Sequence, residues 1–459
     1  VGAHRRELDV IDQAQIDDVA ARALAAAGRR DAEVAVLAYG RHTATLDPGG
    51  FLEQAFERSI RVRFRVVRGT AERCAQTQIA DGLDDTAFAE TLAHLDEALD
   101  NQAYSSATPG LLHPGMMSSA APSTIAGPDS RTAQSSPAHL VDFAARALLA
   151  ARDAGVSVSG SYSIELGGCD DREPIVRLAN TWGLDRAFTG ARVHANFRFF
   201  ADNGFAERVD RVSYRRGDLE PDLLFAAAAQ RARNGRLTAA APAHGAPLLL
   251  EPAAVALLAS TYASLLDEAA ILDGRSPFRF GSTEQVAALG ATIAFDPNDA
   301  RNPGRAFDGE GVPSRRLELV RSGQIGELAR SREQAERSGD DAPGYSPLQP
   351  SLRPYRLRGA LFEADSTDDW DDAFEGLVIA ELGAVRLVDP RRGVAHALVT
   401  RGWVRTAGEE HALQAGQTAR VTLPDLFRSL SAAGRAVAIP AGVYCPVRID
   451  NSASAFAWL

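Results

Sequence analysis

Apolar residues recur at helical spacing near the start of the chain: Ile16, Val19, Ala20, Ala23, Leu24 and Ala27 share one side of a helix predicted over 15–28, and Gly28 supplies its stop. The period then changes. Glu33–Tyr39 is a short apolar run, and Ile60–Val67 alternates apolar and charged positions, which predicts strands, the second with one wet face. Helical spacing returns over Asp85–Leu99 and over His139–Ala154, where Leu140, Phe143, Ala144, Ala147 and Leu148 lie together. Strand-like runs follow at Val156–Leu166, Ile175–Asn180, Ala191–Ala201 and Phe205–Tyr214, the last two joined through Asp202-Asn203-Gly204, a hairpin signal.

Gly, Ala and Pro become frequent between Asn234 and Pro247, which places a boundary there. Beyond it, Pro247–Leu250 reads as a strand feeding a helix, with Pro252 suited to the first helical turn. Helical pattern is confined to parts of 251–267, 281–289 and 425–433, whereas strands are predicted at Leu317–Val320, Ile325–Leu328, Gly376–Val388, Val394–Val404, Gln417–Leu423 and Val443–Ile449. The expectation is an α+β protein: a mixed α/β amino-terminal domain over 1–240 and a mostly β, barrel-like carboxy-terminal domain over 241–459. Residues 104–137 are dominated by Ser, Thr, Pro, Gly and Ala and read as a flexible surface insertion, or functionally as a lid or docking strip.

Composition narrows the function classes. With 459 residues, 45% hydrophobic and 24% charged, the chain has material for two or three ordinary globular cores. All 49 basic residues are Arg, yet the net charge is −11 and no basic face is sustained, so nucleic acid is not an expected partner. Cys74, Cys169 and Cys445 lie far apart, which argues against a disulfide framework or a structural zinc knot. The charged start (His4, Arg5, Arg6, Glu7) shows no signal-peptide core, and Glu251 and Pro252 interrupt the most apolar window, so no membrane span and a cytoplasmic location are expected.

Candidate chemistry is sparse. Nine His residues are present, at 4, 42, 94, 113, 139, 194, 244, 396 and 411, and no two have the one-turn spacing by which a helix presents a zinc site. Glu409-Glu410-His411 follows Gly408 in an expected exposed turn, and Cys445 sits before Pro446 in a strand where a buried thiol is expected. Ser260 and Ser264 have no base assignable nearby. The distinctive segment is Phe307-Asp308-Gly309-Glu310-Gly311-Val312-Pro313-Ser314-Arg315-Arg316, a turn that leads into the Leu317 strand, with Arg321-Ser322-Gly323-Gln324 reversing the chain into a hairpin.

That segment resembles a signature of the TldD/PmbA family, as do Leu178–Leu184, Leu377–Gly383, Asp389–Gly393 and the Pro446–Asp450 strand. Active members carry H-E-x-x-x-H on a helix ahead of the signature. Here that helix falls within Glu251–Asp267, and the motif positions hold Ala259, Ser260 and Ser264. The resemblance therefore implies the TldE/PmbA-like subunit: no cofactor or metal in this chain, and zinc in a TldD-like partner bearing H-E-x-x-x-H. The implied heterodimer hydrolyses an amide bond in a modified peptide or peptide-like natural product. Asp308, Glu310, Arg315 and Arg316 are then expected at the substrate cavity or the partner contact, and Cys445 stands where active members take a further zinc ligand. Residues 340–358 depart from the family by carrying Pro and Arg in place of a Gly- and Asn-rich stretch. Two alternatives from other classes are a homodimeric binding or scaffold protein and an enzyme that uses Cys445.

Overall fold

A computed structural model describes residues 12–68, 71–79, 85–100, 111–112, 129–168, 174–237, 245–279, 284–288, 290–301, 306–330, 332–345, 360–364, 374–407, 409–413 and 416–459. The first half runs α1 (Gln13–Ala27), β1 (Asp31–Leu46), β2 (Leu52–Arg68), β3 (Ala71–Ile79), α2 (Asp85–Asp100), α3 (Ser130–Ala133), α4 (Pro137–Ala154), β4 (Ser157–Gly167), β5 (Ile175–Asn180), β6 (Asp185–Ala187), β7 (Gly190–Phe200), β8 (Ala206–Ser213) and α5 (Pro221–Asn234). Its strands form one sheet in the order β3-β2-β1-β4-β7-β8, with β5 and β6 continuing from β1. Period-two alternation decides which face the helices take. Ala32, Val34 and Val36 of β1 meet Ile16, Val19, Phe88 and Leu92 of α1 and α2. Ala44, Tyr162, Val193, Phe197 and Phe199 meet Phe143 and Phe225 of α4 and α5 on the same side.

The second half runs β9 (Arg236–Leu237), β10 (Leu248–Leu250), α6 (Pro252–Ala263), α7 (Glu268–Leu272), β11 (Thr292–Phe295), β12 (Leu317–Arg321), β13 (Gln324–Ile325), α8 (Arg332–Ser338), β14 (Ala360–Glu363), β15 (Gly376–Asp389), β16 (Val394–Thr406), β17 (Glu409–Ala412), β18 (Gln417–Thr422), α9 (Leu423–Arg428), β19 (Ala432–Ala433), β20 (Val437–Ile439), β21 (Gly442–Tyr444), β22 (Val447–Ile449) and β23 (Phe456–Trp458). Here the expectation of a barrel is corrected. Two open sheets are found among the described residues, one ordered β19-β22-β10-β15-β16-β17-β9 with β18 and β23 alongside, the other β13-β12-β11-β14-β21-β20. The run predicted as one strand at Val443–Ile449 divides between them, since β21 joins β14 and β22 joins β10. Cys445 and Pro446 make the crossing, and the proline has no N–H to commit to either ladder.

Other differences have local causes. Residues 284–288 are not helical: the Gly323 carbonyl accepts from Val286 and Ala287 at 2.8 and 3.1 Å, drawing the segment onto the hairpin turn. That turn is the expected one, with Ser322 and Gly323 at φ 48° and 81° between β12 and β13. Glu409–Ala412 is a strand between β16 and β9 rather than a free turn. In the stretch 104–137, Leu111 and Leu112 are buried, Asp129 caps α3 by accepting from the Thr132 N–H at 2.8 Å, and α4 begins at Pro137. Residues 104–110 and 113–128 lie outside the described residues, as do 346–359 of the departing stretch and the 238–244 linker.

The halves share a core. Phe307, from the second, is 1% exposed among Ala35, Leu37, Leu112, Ile175, Leu178 and Leu184, on the side of the first sheet away from its helices. Gly311 follows at φ 82°, and a Cβ there would stand 2.4 Å from Leu184 Cδ2. Phe307→Ala is expected to cost ~3–5 kcal/mol of unfolding free energy, read from the urea midpoint at unchanged slope. A loss below ~1 kcal/mol would show that this packing does not join the halves.

Candidate functional site

The helix expected to carry hydrolytic ligands is α6. Pro252 occupies its first turn, and Ala254, Val255, Ala256, Leu258, Ala259, Tyr262 and Ala263 are buried, so all but a narrow strip of it is core. Ala259 faces that core at 2% exposure, whereas Ser260 and Ser264 lie on the exposed strip. Ser264 Oγ donates to the Thr261 carbonyl at 2.6 Å.

A hydrolytic zinc ion needs about three converging His, Cys or carboxylate ligands. Methyl and hydroxyl groups at 259, 260 and 264 do not supply them, and no group of three or more such residues able to hold a metal occurs among the described residues. Cys445 is buried, and burial pushes its thiol up to about 12, so at neutral pH it is neither a thiolate ligand nor a nucleophile. His411 Nε2 reaches only Glu409, at 3.4 Å, among the ion pairs of the described residues. The side chains at these described positions therefore do not fit a zinc ion.

The signature loop is built around its own acids. Asp308, 3% exposed, accepts from the Glu310 and Val312 N–H groups at 2.9 and 3.0 Å, closing the turn that Gly311 permits. Glu310, 2% exposed, pairs with Arg332 at 3.1 Å. Ser314 Oγ donates to the Gly344 carbonyl at 2.7 Å, which ties the loop to the next segment. Arg315 and Arg316 stand outside. The first pairs with Glu327, and the second with Asp296 and Glu318 at 2.7 and 2.8 Å. The four candidate residues thus occupy one loop in two layers, acids within and guanidiniums without.

A second charged assembly, not read from the sequence, lies where strand β8 meets the second half. Arg401 of β16 reaches Glu207 at 2.8 Å, Glu381 at 3.7 Å and Glu251 at 3.9 Å. Arg231 of α5 reaches Glu207 at 3.4 Å and Glu251 at 3.5 Å, and both guanidiniums lie over the Trp403 ring. Arg208 pairs with Glu381 at 2.8 Å and Asp210 at 3.0 Å, and His194 Nε2 stands 2.7 Å from Asp210. Burial raises Glu207 even against Arg401 and Arg231, and burial lowers Arg211 even beside Glu251 and Asp210. Glu251 precedes α6 without capping it by side chain, its carboxylate being turned to these arginines. Carboxylates and guanidiniums balance in number, so the assembly neutralises itself and serves to hold β8 against β15 and β16. Sequence reasoning missed it because its members are spread from 194 to 401 and meet only across the seam.

Residues 243–454 match the family model described as the PmbA/TldA metallopeptidase C-terminal domain. No curated protein matches the chain in sequence. Among solved structures, TldE from Thermococcus kodakarensis superposes with a TM-score of 0.77 at 14% identity, over 95% of this chain and 98% of that one. A protein described as a modulator of DNA gyrase from Bacteroides thetaiotaomicron gives 0.75 at 15% identity, over 97% and 99%. Another so described, from Thermotoga maritima, gives 0.71 at 16% identity, over 95% and 99%. These likenesses establish the fold from end to end. No helix among the described residues is long and apolar enough to cross a membrane.

Two measurements check this account. Arg401→Met, which leaves Glu207 and Glu251 short of a partner, is expected to cost ~3–5 kcal/mol, and the double variant with Glu207→Gln should recover part of that loss; additive losses would deny the coupling. Native protein alkylated with iodoacetamide at pH 8 should remain unmodified at Cys445 by peptide mapping, with about one thiol in 10⁴ ionised there, and react only on unfolding.

Proposed function

We propose that this chain, built on the PmbA/TldD metallopeptidase fold, is the subunit without zinc ligands in a two-subunit amide hydrolase. Its TldD-like partner carries H-E-x-x-x-H, and the pair acts on a modified peptide or peptide-like natural product. The observation that carries the proposal is the composition of α6. The helix is retained as a core element, while Ala259, Ser260 and Ser264 offer nothing to bind a metal or activate water. The end-to-end likeness to a TldE structure supports the same reading.

In this arrangement the partner's metal polarises the amide carbonyl and brings the bound water near pKa ~7. This chain contributes shape and closure. Its Arg315 and Arg316 side chains, 39% and 43% exposed, form the outer layer of the signature loop, and that exposure supports a role in meeting the partner or the substrate. Asp308 and Glu310 hold that layer from behind.

The purified chain should bind less than ~0.1 zinc per polypeptide, whereas co-expression with an H-E-x-x-x-H homologue should give a one-to-one complex with amide-hydrolysing activity. Arg315→Ala with Arg316→Ala should weaken that complex by ~10-fold or more. Stoichiometric zinc in the isolated chain, or a stable homodimer indifferent to the homologue, would overturn the proposal.

A further inference from the structure

Three strands of the second sheet turn one face into its core and the other outward. Val385 and Leu387 of β15, Ala395, Ala397 and Val399 of β16, and Ala419 and Val421 of β18 pack inward, on the side that α6 covers. Alternation then sets Ala384, Arg386 and Val388, His396 and Leu398, and Thr418 and Arg420 outward. Register places Arg386 opposite His396 and His396 opposite Arg420, so the three lie side by side across the sheet. Both arginines are exposed and the histidine is half-buried. Among the described residues, none of the three takes part in an ion pair. No Asp or Glu occupies these outward positions, and Asp389, at the end of β15, is engaged in the turn by accepting from the Arg392 N–H at 3.3 Å.

Other rows of facing charges in this molecule are answered internally. Arg41, Glu165 and Arg192 are in register and paired, and so are Arg405 and Glu410. We infer that the Arg386–His396–Arg420 row is a docking surface for an acidic segment of a partner protein. Two strand spacings separate the arginine backbones by ~9.5 Å, enough for each planar fork to take its own carboxylate through two parallel N–H donors. The imidazole between them offers a further polar contact. Exposed Arg391 and Arg392 extend the positive surface into the turn that joins β15 to β16.

The flanks of the row select among anions. Leu398, 36% exposed, stands one outward position along β16, with Ala384 and Thr418 in register beside it. Val388, 45% exposed, stands one outward position along β15 on the other side. A protein segment that mixes carboxylates with apolar side chains engages the cations and both flanks, whereas nucleic acid or lipid head groups engage the cations alone. The net charge of −11 also repels an extended polyanion at long range, while a few carboxylates are met locally. Because the row is exposed and lies on the side of the sheet away from α6, this docking does not depend on the hydrolase reading.

The full chain, purified alone, should be titrated into a short fluorescein-labelled peptide that alternates Glu and Leu, with binding read by anisotropy. A Lys-Leu peptide, phosphatidylserine vesicles and single-stranded DNA serve as comparators. Saturable binding of the Glu-Leu peptide that weakens with added salt is expected, with no binding of the Lys-Leu peptide. Arg386→Gln with Arg420→Gln should weaken it ~10-fold, and Leu398→Ser ~3-fold. Since no residue of the described chain pairs with either arginine, the double variant should melt with the parent, which a structural role for the row would not allow. Absence of saturable binding, affinity unchanged in the double variant, a lowered melting temperature, or tighter binding of vesicles or DNA through the same arginines would each overturn the assignment. None of these outcomes bears on zinc or on pairing with an H-E-x-x-x-H homologue.

Discussion

The arrangement of the molecule depends on how the edge of its first sheet is covered. β8 is a terminal strand, and an uncovered strand edge is a template for unwanted pairing. The chain covers it with opposed charges. Glu207, Arg208, Asp210 and Arg211 leave β8 in both directions and are met by Arg231, Glu251, Glu381 and Arg401 from elements on either side of the linker. Taking so many charges from water is costly unless every one is answered, and the geometry tolerates few other placements. The seam thereby fixes register between halves that would otherwise slide on apolar contacts alone.

Helix α6 shows the same economy from another side. Its N-terminus opens on Glu251, a member of the seam, and its body is aliphatic nearly all round, with Tyr262 stacked on Phe427 at 4.5 Å. Such a helix persists because it fills the centre of the second core, whether or not it carries chemistry. Side chains on its exposed strip, Ser260 and Ser264, can vary without disturbing that packing. That separation between scaffold and chemistry lets one fold carry different sites.

Much of this was legible from periodicity. α1, α2, α4 and the long strands of the first sheet follow their hydrophobic spacing to within a few residues, since each buries one face against a neighbour in sequence. Pro221–Asn234 was passed over although Phe225, Ala228, Ala229 and Ala232 fall on one side, because alanine gives a faint signal where leucine gives a strong one. The short strands β9, β19 and β20 exist only through their partners and have no pattern of their own. At the site level, the signature loop was visible in its Gly, Pro and charges, and its two layers were not, because burial of Asp308 and Glu310 is decided by segments distant in the chain. The His194–Asp210 contact between β7 and β8 is a property of strand register, which alternation alone leaves open.

Phe307 belongs by sequence to the later half and by packing to the earlier one. As the polypeptide leaves the ribosome, the pocket formed by Ala35, Leu37, Ile175 and Leu178 emerges long before the ring that fills it. The amino-terminal sheet therefore completes its apolar surface only after most of the protein has been synthesised, and it matures together with the domain that follows it rather than ahead of it.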